Sequence, residues 1–130
     1  MDERYMRFGD FLKKKRLDAS GEITLKDLSE RLDISLSFLS DIENNRRKPF
    51  DSDKLDIVAH ELNLSDEDKD LLFDLAGRER KAVSPDLPEY IMYSDVGEYA
   101  RIALRKSKAG DITVEDWKKF IDEQENKKKE

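Results

Sequence analysis

The chain has 130 residues, of which 43% are charged and 37% hydrophobic, with a net charge of -6 at pH 7 and no cysteine. That length holds one compact core, or one small domain with an appendage, and the missing thiols exclude a disulfide framework and a thiolate metal centre. The opening MDERYMRFGDF lacks the basic flank and apolar run of a secretion signal, and no stretch of about 18 apolar residues is long enough for a membrane span. A cytoplasmic protein with no membrane contact is the expectation.

Neither half of the chain is basic: residues 1–65 carry -2 and residues 66–130 carry -4. A polyanionic partner would therefore have to be met by local patches, and two stand out, Lys13-Lys14-Lys15-Arg16 and Arg46-Arg47-Lys48.

The elements read as helices throughout. Tyr5, Phe8, Phe11 and Leu12 recur at spacings of three and four, which predicts a helix over residues 3–17 ending near DASGE. Thr24 offers an N-cap for a second helix with Leu25, Leu28 and Leu32 on one stripe. Ser35 caps a third, with Leu39 and Ile42 inward, that stops at Asn44-Asn45 ahead of Pro49. Ser52 begins a fourth through Leu55, Val58, Ala59 and Leu62. Ser65 and Asp68 form a capping-box pattern opening a fifth, through Leu71, Leu72 and Leu75 to an end at Gly77.

The prolines of KAVSPDLPEY mark a linker. Beyond it, Tyr90, Ile91, Val96, Tyr99, Ala100, Ala103 and Leu104 predict one or two helices broken near Ala109-Gly110. Thr113 then caps a last helix bearing Val114, Trp117, Phe120 and Ile121, before ENKKKE frays. No period-two alternation reads as a strand. The expected class is all-α, with a five-helix unit over residues 1–80, a linker over 81–88 and a small helical segment over 89–130.

Two short helices joined by a tight turn, TLKDLSERL and SLSFLSDIENN, have the dimensions of a helix-turn-helix, a layout that other short helix pairs share. The residues add to this. Gly9 and Arg16 in FGDFLKKKR, then Leu28, Leu32, Ile34, Ser35, Leu39, Ile42, Glu43 and Pro49, resemble the lambda-repressor-like, or Xre-type, regulators over roughly residues 7–65. The resemblance implies a five-helix lambda-repressor-like DNA-binding domain.

It also implies roles. Leu36, Ser37 and Asp41 would read base edges, while Ser35, Thr24, Asn44, Arg46, Arg47 and Lys48 would hold phosphates; Arg16 and Glu43 would form a structural ion pair. Three positions depart from the pattern. Asp33 and Asn45 replace glycines but tolerate left-handed backbone, and Asp41 puts a carboxylate where relatives often carry a basic or amide group. Asp41 would accept from cytosine N4, and Leu36 would touch a thymine methyl.

Other chemistry finds little support. His60 in AHELNL lacks the second histidine of a zinc-protease helix, because position 64 is Leu. Asp66 and Asp68 read as solvated, and Trp117 with Phe120 as core or subunit interface. Lys13 to Arg16 read as an ordinary charged helix surface. No metal, no cofactor and no enzymatic activity are expected.

The expected function is a sequence-specific transcriptional regulator, a repressor that binds palindromic double-stranded operator DNA through the helix at 35–45 as a homodimer, with residues 86–125 as the candidate dimerisation or control segment. The alternative is an antitoxin or anti-regulator whose acidic C-terminal half docks a partner protein; by analogy with regulators of this layout, that partner would be a toxin or metallopeptidase.

Overall fold

A computed structural model of the protein describes residues 2–129, which contain helices and turns and no strand. A single 3-10 turn at Glu3–Tyr5 precedes α1 (Phe8–Asp18), α2 (Leu25–Arg31), α3 (Leu36–Glu43), α4 (Ser52–Glu61), α5 (Asp66–Arg80), α6 (Pro88–Tyr93), α7 (Gly97–Lys108) and α8 (Val114–Lys128). They fall into two compact units, Met1–Pro88 and Glu89–Glu130.

The first unit is built around one apolar cluster. Phe8, Phe11 and Leu12 of α1 meet Leu28 and Leu32 from the α2 segment and Leu39 and Ile42 of α3; Leu55 and Val58 of α4 and Leu72, Phe73, Leu75 and Ala76 of α5 complete it. These are the residues whose helical spacing makes single stripes, so one stripe of each helix is buried, while Leu17, Leu36 and Ile57 stay exposed. α1 packs on both α3 and α5, and α4 on both α2 and α5. Phe50, which follows Pro49, enters the cluster edge-on to Phe8 with ring centroids 6.1 Å apart.

Helix starts follow the chemistry of their caps. Thr24 accepts from the Asp27 N–H at 3.0 Å while Asp27 accepts from the Thr24 N–H at 3.1 Å, a complete capping box. The same reciprocal pair joins Thr113 and Asp116. In each box the hydrogen bonds from the threonine hold the aspartate below the usual carboxylate range.

Three element boundaries differ from expectation. The first helix begins at Phe8, not residue 3, because its opening amides bind distant side chains: Glu79 accepts from Phe8 N–H at 3.4 Å and Asn45 Oδ1 from Gly9 N–H at 2.9 Å. Tyr5 is left outside the stripe and exposed. The fourth helix begins at Ser52 as expected, capped by Asp51, whose carboxylate accepts from Lys54 N–H at 3.1 Å. The fifth runs past Gly77 to a left-handed Lys81, because residues 82–84 fold back against it; a Cβ on Gly77 would lie 3.0 Å from Ala82 O and Ser84 N. The last helix continues to Lys128, since Glu, Gln and Lys favour helix; Glu130 lies outside the described residues.

Gly9 sits where α1 crosses the exit of α3. A Cβ there would stand 2.7 Å from Glu43 O and closer still to Ile42 O, both backbone atoms that cannot step aside. Gly9→Ala is therefore expected to destabilise the first unit by about 1–3 kcal/mol, the scale of overpacking. Thermal unfolding by circular dichroism checks it, with a fall in midpoint as the expected outcome.

In the second unit, α6 to α8 are joined by a Trp117 indole N–H donating to Ser107 Oγ at 2.9 Å and an Arg101 guanidinium donating to Met92 O at 3.2 Å. Among its described residues only Gly97 is buried. Met92, Tyr93, Tyr99, Leu104, Phe120 and Ile121 all remain exposed.

Candidate nucleic-acid interface

α3 presents one face to the core and one to solvent. Leu39, Ile42 and Glu43 are buried, whereas Leu36 and Ser37 are exposed and Asp41 and Ser40 half-buried. The helix starts at Ser35, whose hydroxyl accepts from Phe38 N–H at 3.1 Å and lies 3.4 Å from Ser37 Oγ. α2 and α3 pack together, and the turn between them runs through a left-handed Asp33 at φ 54°, with Ile34 N–H donating to Ser29 O at 3.0 Å. A carboxylate side chain tolerates that backbone better than most residues.

The exit of α3 is fastened to α1. Arg16, 8% exposed, and Glu43, 4% exposed, make a forked pair, Nε to Oε2 at 2.7 Å and Nη2 to Oε1 at 3.0 Å. The remaining guanidinium branch donates to Ile23 O at 3.1 Å. Two residues on, Asn45 adopts φ 60°, accepts from Gly9 N–H and donates to Asp10 Oδ1 at 3.0 Å. The left-handed residue turns the chain sharply, and Arg46 N–H closes onto Asp41 O at 2.8 Å.

Arg46, Arg47 and Lys48 emerge from that turn, all exposed. Arg46 Nη1 stands 4.0 Å from Asp41 Oδ1, and the Arg47 guanidinium lies over the Phe38 ring, 4.6 Å from its centroid. With Arg7, Asn45 and Glu79 they line a shallow cleft of about 250 Å³. Arg7 pairs with Glu79 at 2.7 Å, and that hydrogen bond both holds the Glu79 carboxyl below its ordinary range and pushes Arg7 further up.

Two other sequence-predicted positions are already engaged. Asn44 Nδ2 donates to Ser40 O at 2.9 Å and Ser40 Oγ at 3.3 Å. At the start of α2, the Thr24 N–H is taken by the Asp27 carboxylate. The other cationic run is dispersed into structure: Lys15 pairs with Asp68 at 3.0 Å and Glu3 at 3.1 Å, and Arg16 is buried. Burial lowers the Lys15 pKa, but the hydrogen bonds and negative charges of Asp68 and Glu3 together raise it by more.

The residues that sequence reasoning missed are Phe38, Arg7 and Glu79. For Phe38 a signal existed, an aromatic on the third helix that is not on the Leu39-Ile42 stripe. Glu79 lies more than 70 positions from Arg7 and left no local sign.

A family model described as Helix-turn-helix matches residues 12–68, from within α1 to the first turn of α5. No curated protein and no solved structure gives a match to the chain.

Proposed function

Since residues 12–68 form a helix-turn-helix domain of the lambda-repressor-like, Xre type, we propose that this protein is a sequence-specific DNA-binding transcriptional regulator that inserts α3 into the major groove. Leu36, Ser37 and Asp41 face base edges, and Ser35, Arg46, Arg47 and Lys48 hold the sugar-phosphate backbone. Thr24 and Asn44 join the phosphate contacts once their present partners are released.

The observation that carries this reading is the placement of three exposed cations at the exit of a helix whose other face is locked into the core. Such a cluster supplies the electrostatic attraction that the acidic chain as a whole does not. Asp41 is tolerated because Arg46 stands beside it.

The proposed mode is repression by a homodimer on a palindrome, with the second unit joining the two copies. Among the described residues of its 42-residue span only Gly97 is buried, while its sequence balances ten acidic against nine basic side chains, so two copies do not repel strongly. Dimerisation sets two reading helices about 34 Å apart and multiplies affinity through effective concentration. The same exposed apolar residues also favour a second reading, in which a partner protein covers them and the helix-turn-helix serves as scaffold.

The test titrates the protein against duplex DNA from upstream of its own coding region and against a scrambled duplex, at two salt concentrations. A regulator prefers the first, and phosphates neutralised by Arg46, Arg47 and Lys48 give a log-log salt slope of about -3 for each copy bound. Sedimentation should give twice the 15.2 kDa chain mass. Equal binding to both duplexes would remove the sequence-specific claim, and no binding to either would leave the scaffold.

A further inference from the structure

Arg47 lies in an exposed turn, where a long side chain samples many rotamers and gives up that freedom on binding. Here a neighbour restricts it. Phe38 is half-buried, with part of its ring against the apolar cluster, and the Arg47 guanidinium sits 4.6 Å from the ring centroid. The negative face of the ring attracts a cation, and a guanidinium held over it still has N–H groups to offer a phosphate.

The backbone sets this contact up. Asn45 at φ 60° and the Arg46 N–H bond to Asp41 O reverse the chain after α3, so residue 47 reaches back to a ring three positions into the helix. Helical side chains lean toward the N-terminus, which carries the ring and its cation toward the first turn of α3. That is the part of a recognition helix that lies deepest in the groove, with backbone phosphates on either side.

We propose that Phe38 is a positioning residue for DNA binding, its ring holding the Arg47 guanidinium beside the first turn of α3 for a backbone phosphate. This rests on the DNA-binding reading above. Arg47 thereby differs from Arg46, whose neighbour is the Asp41 carboxylate, and from Lys48; it is the cation set in place before DNA arrives.

The test is a double-mutant cycle read by affinity for a random-sequence duplex of about 30 base pairs in low salt, because a phosphate contact needs no particular sequence. Phe38→Met keeps an apolar side chain of similar reach without a ring face, and Phe38→Tyr keeps the face. Phe38→Met is expected to weaken binding about two- to fivefold and Phe38→Tyr to leave it unchanged, the range of an exposed cation–ring contact. With Arg47→Gln already present, Phe38→Met should cost nothing more, and Arg47→Gln alone should flatten the salt slope by about one.

An equal loss from Phe38→Met in both backgrounds would reduce Phe38 to packing and overturn the proposal, as would an Arg47→Gln loss with no Phe38→Met loss. Should Phe38→Met lower the melting point, Phe38→Leu repeats the comparison. If the duplex is not bound even by the unsubstituted protein, the DNA-binding reading itself fails and this proposal falls with it, an outcome distinct from the two above.

Discussion

Replacing Arg46 and Arg47 together by glutamate is expected to weaken DNA binding by about 100-fold or more and to flatten the salt slope by about two, while leaving the fold intact. Two exposed cations next to the groove become two anions, so lost counterion release is joined by direct repulsion from phosphate. The fold should survive because little structure depends on them. Arg46, with a side chain 73% exposed, stands 4.0 Å from a half-exposed Asp41, and such pairs contribute at most about 1 kcal/mol. Fluorescence anisotropy against a labelled duplex reads the affinity, and circular dichroism reads the melting point. Unchanged affinity with an unchanged melting point would favour the scaffold reading.

The second large effect concerns stability. Arg16→Met strands the Glu43 carboxylate, 4% exposed, without its forked partner, and should cost about 3–5 kcal/mol. Against a total stability of about 5–15 kcal/mol that loss brings the first unit close to unfolding at growth temperature. Adding Glu43→Leu to the same chain removes the stranded charge and should recover most of the loss, because two apolar side chains can occupy the space of a buried ion pair at little net cost. Urea unfolding of the two variants measures the difference. A double variant no more stable than Arg16→Met would mean that the forked geometry, including the Arg16 bond to Ile23 O, matters beyond neutralising Glu43.

Helix identity was legible where the signal is local. Thr24, Ser35, Ser65 and Thr113 each cap the helix their position announced, and the apolar stripes of α1 to α5 supply the buried cluster. The misread boundaries depend on tertiary partners. α1 opens at Phe8 because Glu79 and Asn45 accept its first amides, and α5 continues through Gly77 because residues 82–84 need the space a side chain would fill. The fourth helix, by contrast, begins at Ser52 as its sequence indicates, with Asp51 supplying the cap.

The site divides in the same way. The proposed reading helix, α3, and its trailing cations form one continuous stretch, so spacing and resemblance could point to them together. What each cation faces was hidden. That Arg47 takes a ring, Arg46 a carboxylate and Lys15 two carboxylates from other parts of the first unit depends on how the chain folds back, and no local pattern encodes it.

The four bonds that tie Glu43 and Asn45 to Arg16, Gly9 and Asp10 bear on how such a protein could be switched. A rod bolted at its tail to a larger beam cannot tilt alone, so an inducer acting by reorienting α3 would have to break a buried ion pair first. In the proposed dimer, adjustment to an imperfect operator would then fall to the DNA and to side chains at the rim, and switching would act on the spacing between the two copies.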